Sequence, residues 1–147
     1  MLSPDVVLLR RLHYSVAQES PDREVSGIVD VSAGDIRDLY LAADVLVTDY
    51  SSVMFDFAVT GKPIVLYVED YQSYTTRHRQ HYFDILEESP GPVATSAEEL
   101  AGIVQDLPTH ITQKAAQYRR FQQKFCPFDD GQATQRVIDR VFAGALS

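Results

Sequence analysis

Short apolar runs at residues 6–9, 27–31, 45–47 and 64–68 alternate with segments whose apolar residues return at helical spacing. Runs this short, rich in Val, Ile and Leu and lacking an in/out alternation, have the pattern of strands covered on both faces, as in parallel sheets. Parallel neighbours need a crossover, usually a helix. The order therefore predicts an α/β fold, a Rossmann-like parallel sheet flanked by helices with right-handed connections. Three strands are clear ahead of a long polar loop, with a fourth candidate near Val93, whereas a complete doubly wound nucleotide domain carries about five or six. Residues 1–147 thus read as a single, incomplete nucleotide-binding domain, with 111–147 as a carboxyl-terminal helical tail.

Local punctuation supports these elements. Ser32 with Asp35 three residues on predicts a capped helix start, followed by Ile36, Leu39, Tyr40 and Ala43 on one face. Ser51 and Ser52 open an apolar segment that Gly61, Lys62 and Pro63 terminate before the run at 64–68. Ser96 with Glu99 forms another capping box, for a helix to about residue 106. Residues 112–125 and 132–142 are helical by pattern, separated by a turn at 126–131.

The sequence has 147 residues, 45% of them apolar, enough for one ordinary core. A net charge of −8, from 21 acidic and 13 basic side chains, argues against a sequence-independent nucleic-acid binder. Any phosphate site must be local. Cys126 is the one cysteine, so an intrachain disulfide is impossible, and a buried or inert thiol in a reducing compartment is expected. No apolar run approaches the roughly 20 residues that span a bilayer. The expected location is cytoplasmic, at most peripheral on the inner face of the plasma membrane.

The segment that carries most chemistry is Asp49, Tyr50, Ser51 and Ser52, directly after the run at 45–47, which reads as a central strand. Ligands of open α/β sheets bind at the carboxyl ends of the strands. Two adjacent hydroxyls, with open N–H groups of a helix start, favour an anion there, most simply phosphate. The plain alternative is that Ser52 is only a helix cap and Asp49 only a strand-end carboxylate. His13 follows the first run, after Arg10 and Arg11; as imidazolium it could hold a phosphate oxygen, or it is an ordinary loop histidine. Arg77, His78, Arg79 and His81 form a basic patch in an acidic chain, unless Asp70 and Asp84 pair with it. Asp129, Asp130 and Gly131 lack the downstream ligands of a calcium loop and read as a turn and cap. No metal site and no cofactor are expected.

These pieces also occur in a recognisable order. The chain carries Leu9, Arg10, Arg11, Leu12, His13 and Tyr14; then the stretch 43–56; then Lys62, Pro63 and Ile64; Tyr74; Arg79 to Tyr82; Pro90, Gly91 and Pro92; and Asp129, Asp130 and Gly131. In this it resembles the carboxyl-terminal region of the CDP-glycerol glycerophosphotransferases, the teichoic acid polymerase and primase family. The resemblance implies a GT-B-like enzyme of two Rossmann-like domains that transfers glycerol phosphate from CDP-glycerol, or ribitol phosphate from CDP-ribitol, to a polyol-phosphate polymer or lipid-linked acceptor. It implies that this part holds the donor nucleotide, with His13 as a catalytic residue near the diphosphate. Asp49, Ser51, Ser52, Arg79 and Arg10 are then substrate-binding. One departure is Gln80, where the family commonly has glycine after the arginine. The base that activates the acceptor belongs to the preceding domain, as does any peripheral membrane contact, so this chain alone is expected to be inactive. Two other readings stand beside this one. The chain could be a non-catalytic remnant or complementing subunit. It could also be a receiver-like regulatory domain, against which the single helix between Asp49 and Lys62 argues.

Overall fold

The computed structural model describes residues 6–12, 27–71 and 83–142. The chain divides into two compact units, Met1–Ala43 and Asp44–Ser147. Among the described residues all strand pairings in both are parallel, with helices following strands, so the chain is α/β as its pattern predicts.

The first unit pairs β1 (Leu8–Arg10) with β2 (Ile28–Asp30), followed by α1 (Ile36–Ala42). The sequence predicts buried strands here, and the structure differs: Val7 is 69% and Val29 50% exposed. Among the described residues of this unit, two paired strands of three residues are too small a sheet for apolar composition alone to bury them. The helix start also moves. The cap is Asp35, not Ser32: the Asp35 carboxylate accepts the Arg37 N–H at 2.9 Å. Ser32 works earlier, where its hydroxyl accepts the Leu12 N–H at 3.0 Å beyond the end of β1.

The second unit holds β3 (Leu46–Thr48), α2 (Val53–Ala58), β4 (Ile64–Tyr67), β5 (Val93–Ala94), α3 (Ala97–Gln105), α4 (Leu107–Phe125) and α5 (Ala133–Phe142). The sheet order is β3-β4-β5. Thus β3, read from sequence as central, has β4 as its one strand neighbour among the described residues of this unit, and Val47 is 36% exposed. The centre is β4, whose Ile64, Val65 and Leu66 are sealed. A short β-branched run reads alike in both positions, because either neighbour-rich setting selects the same residues.

Helix α2 buries Met54, Phe57 and Ala58, the i, i+3, i+4 stripe that packs on the sheet. Helix α4 closes the other side of α2. Phe55 stacks on Phe121 at 5.4 Å between ring centres and lies 5.1 Å from Phe125, which in turn lies 4.9 Å from Phe83. Such ring pairs add about 0.5–1.5 kcal/mol each beyond area burial. Helix α4 also supplies what the end of α2 lacks, since the last carbonyls of any helix have no partner within it. Ala58 C=O accepts from Gln122 Nε2 at 2.7 Å and Tyr118 Oη at 3.3 Å, and Cys126 Sγ donates to Phe55 C=O at 3.5 Å. Tyr118 Oη also donates to Lys62 C=O at 2.8 Å. Burial, then Cys126, pushes the Tyr118 pKa up to about 12. Burial, with Asp129 and Asp56 nearby, likewise pushes the Cys126 thiol up, as expected for an inert cysteine. Tyr118→Phe is expected to lower stability by about 1–2 kcal/mol, because Lys62 C=O loses a partner while Ala58 keeps Gln122. Urea unfolding at neutral pH measures this.

Pro108 sits in the first turn of α4, where its missing N–H costs nothing, so the helix begins at Leu107 rather than at residue 112. Ser96 caps α3 as predicted, with Glu99 N–H on Ser96 Oγ at 3.2 Å. Every side chain of α5 is exposed, including Val137, Ile138, Val141 and Phe142.

Candidate functional site

At the carboxyl edge of the second unit's sheet, Thr48 of β3 lies beside Leu66 of β4. The chain leaves β3 through a tight turn. Asp49 Oδ1 accepts the Ser51 N–H at 2.9 Å, a side-chain mimic of a backbone turn that stops the strand. The Val53 N–H then bonds Ser51 Oγ at 3.4 Å, the Met54 N–H bonds Ser51 C=O at 3.4 Å, and the Phe55 N–H bonds Ser52 C=O at 3.0 Å. Three of the open helix amides expected from the sequence, those of Val53, Met54 and Phe55, are therefore engaged by the turn itself. What remains to meet a ligand is chiefly the two serine hydroxyls.

Both Ser51 and Ser52 are exposed. Ser52 has φ −61° and ψ −11°, already helical, whereas a capping serine is extended. Its side chain makes no capping bond. Ser51 Oγ accepts from Val53, which leaves its O–H as a donor.

Tyr50 reads from sequence only as part of the Asp49–Ser52 segment, with no role of its own, yet it ties two strand ends together. Its hydroxyl donates to Asp70 Oδ1 at 3.0 Å, and its ring lies 6.3 Å from Tyr71. The signal available was positional, since Tyr50 and Asp70 each lie just past the carboxyl end of a strand. Asp70 is thereby placed on Tyr50. Asp84, the other acid considered for the basic patch, accepts the N–H groups of Leu86 and Glu87 at 2.9 and 3.1 Å. Nearby, Tyr67 Oη donates to Glu69 Oε2 at 2.8 Å, and that bond, ahead of burial and charge, pushes the Tyr67 pKa up. The edge thus carries Asp49, Glu69 and Asp70 with two exposed hydroxyls, and the turn itself has no cation. Hydroxyls can donate to an anionic oxygen, but neutralising a diphosphate needs positive charge from elsewhere.

The other expected site residues are placed as follows. His13 and Arg79, with Arg77, His78 and His81, lie outside the described residues. Arg10 belongs to the first unit, where parallel register sets it beside Asp30. Its Nη2 and Nε donate to Asp30 Oδ2 at 2.7 and 3.1 Å. The Ser32 N–H, the Ser32 hydroxyl and then Arg10 hold the exposed Asp30 carboxyl down at a pKa of about 2. A folded-state value below the ordinary 3.8 means that the stability gained is complete above about pH 4 and is lost as pH falls through 2. Carboxyl-carbon NMR is expected to give a midpoint near 2, and Arg10→Ala to raise it; a native midpoint near 3.8 contradicts the network. Among the described residues no set of His, Cys, Asp and Glu side chains could hold a metal ion.

Comparison with known proteins bears on this geometry. Residues 1–143 match the family described as CDP-Glycerol:Poly(glycerophosphate) glycerophosphotransferase. The chain is similar to the teichoic acid glycerol-phosphate transferase of Staphylococcus aureus (strain NCTC 8325 / PS 47), with 39% identity over 142 residues, 96% of this chain and 36% of that protein. It is also similar to the teichoic acid poly(glycerol phosphate) polymerase of Bacillus subtilis (strain 168), with 34% identity over 96% of this chain and 19% of that one. Among solved structures, the wall teichoic acid polymerase TagF superposes with a TM-score of 0.79 at 32% identity, over 90% of this chain and 33% of that one. A TagF structure soaked with CDPG gives a TM-score of 0.80 at 33% identity, over 92% and 34%. The chain spans about a third of the first relative and about a fifth of the second. With a family match over nearly its whole length, the chain belongs to the CDP-glycerol:poly(glycerophosphate) glycerophosphotransferase family.

Proposed function

We propose that this chain is the donor-nucleotide-binding part of an enzyme that transfers glycerol phosphate from CDP-glycerol to a teichoic acid-type polymer. In the reaction an acceptor hydroxyl oxygen bonds to the β-phosphorus, the bond to CMP breaks, and the hydroxyl proton leaves to a base. The observation that supports this reading is the exposed pair Ser51 and Ser52 at the strand edge, with Ser52 unused as a cap. In the proposal both hydroxyls donate to diphosphate oxygens, and Asp49 holds the turn that presents them. His13 acts near the diphosphate, and His13, Arg79 and Arg10 supply the positive charge that the turn lacks. Positioned donors of this kind stabilise charge where it develops, on the non-bridging oxygens and the departing CMP. The reaction would run in the cytoplasm, with membrane contact made by another part of the enzyme. Among the described residues no helix is long and apolar enough to cross a membrane.

Calorimetric titration with CDP-glycerol, CMP and a UDP-sugar tests the assignment. The expected result is saturable binding of the two cytidine nucleotides and none of the UDP-sugar. Equal binding of all three, or of none, overturns it.

A further inference from the structure

The second unit contains a cavity of about 180 Å³ at the other end of its sheet. Its walls are Pro63 and Ile64 where β4 begins, Pro90 and Pro92 ahead of β5, and Ile111 and Tyr118 on α4. Because the strands are parallel, this end is remote from the edge where β3 turns into Ser51 and Ser52.

The walls are preformed. Proline rings fix three of the backbone angles, and the Tyr118 hydroxyl is pinned on Lys62 and Ala58 carbonyls at 2.8 and 3.3 Å. A mainly apolar space of this size takes about one six-membered ring or an equivalent short alkyl chain. Half-buried Lys114 and exposed Arg119 also belong to the lining, whose surface is mainly apolar, so their stems form wall while their charges stand at its margin. They stand about 7.5 Å apart along the axis of α4. That helix carries no Asp or Glu, although the chain as a whole is at −8. Among the described residues neither cation is in an ion pair. Lys114 Nζ donates only to Gln117 Oε1 at 3.1 Å and Arg119 Nε to the carbonyl of Ala115 at 3.4 Å. Preformed apolar walls beside two uncompensated cations match a ligand with one apolar group and one anionic head.

We propose that this cavity is a second ligand site, for a soluble organic phosphate bearing a short alkyl or aryl group. The apolar group packs against Pro63, Pro92 and Tyr118, and the phosphate lies by Lys114 and Arg119. The site is independent of the donor reading, because it shares no residue with the Ser51 edge.

Hexyl phosphate is the probe, titrated into the whole chain and followed by calorimetry and NMR, with hexanol and inorganic phosphate as comparisons. Saturable hexyl phosphate binding that shifts Ile64, Ile111 and Tyr118 signals is expected, with each comparison compound at least about tenfold weaker. Lys114→Ala with Arg119→Ala should weaken hexyl phosphate about tenfold. Ala115→Leu, which keeps both charges and fills the space, should abolish binding. Both variants should bind CMP as the parent chain does, so failure here is separable from failure of the donor assignment. Absence of saturable binding, equal binding of inorganic phosphate, or indifference to both variants overturns the proposal.

Discussion

Replacing Ser51 and Ser52 together by alanine in the full-length enzyme is expected to weaken CDP-glycerol binding roughly a hundredfold. A hydrogen bond to a charged group is worth about 1.5–3 kcal/mol. Two such bonds at the low end sum to about 3 kcal/mol, which is about two orders of magnitude in the dissociation constant. Stability should change by less than about 1 kcal/mol. Both side chains are exposed, Ser52 makes no capping bond, and Ser51 Oγ gives up only a long contact of 3.4 Å to the Val53 N–H. Ser52→Ala alone is the cleaner variant, because Ser51 also shapes the turn. Calorimetric titration beside urea unfolding separates binding from folding. A double variant that binds CDP-glycerol within about threefold of the parent would remove the hydroxyl pair from the site.

Gly91→Ala is expected to cost about 3 kcal/mol or more. A Cβ built at Gly91 would stand 1.8 Å from the Ile64 carbonyl oxygen and 3.0 Å from its carbon. Neither strand can step back. Ile64 opens the sealed central strand, Leu46 N–H bonds Pro63 C=O at 3.0 Å, and Leu66 N–H bonds Pro92 C=O at 2.9 Å. Buried Ser89 further fixes the approach, donating to Gly91 C=O at 2.6 Å and accepting the Gly91 N–H at 3.2 Å. Gly102 supplies the contrast: it lies inside α3 with nothing within 4 Å of an added Cβ. Alanine there should stabilise the chain by about 0.5–1 kcal/mol, since only the helical backbone entropy changes. Urea unfolding of the two variants should therefore move in opposite directions. Equal midpoints would mean that the β4–β5 approach is not tight.

What the sequence made legible was local. The Ser96 and Glu99 box sets the start of α3 because both partners lie within one turn. Gly61 ends the α2 turn at φ +73°, a conformation glycine adopts without strain. The misreadings share a cause, a local pattern that serves two environments. Ser32 and Asp35 are both good caps, and the choice fell to Asp35 because Ser32 is drawn to Leu12, twenty residues back. The apolar run at 45–47 does not record that, among the described residues of the second unit, its one strand neighbour is β4. In the candidate site the hydroxyl pair was visible as adjacent serines, whereas the Tyr50 bond to Asp70 spans twenty residues and arises only once β3 and β4 lie side by side. Arg10 was visible as a cation, but its engagement by Asp30 depends on strand register.

Helix α5 is ten residues long, and none of its side chains is covered. A helix that short draws little stability from propensity alone and needs tertiary packing to persist in water. Its amide protons should therefore be surrendered to heavy water long before those of α4, whose Phe121 is locked among aromatic rings. Among the described residues, a protease would also cut α5 at Arg136 or Arg140 before it reached the sheet beneath α4.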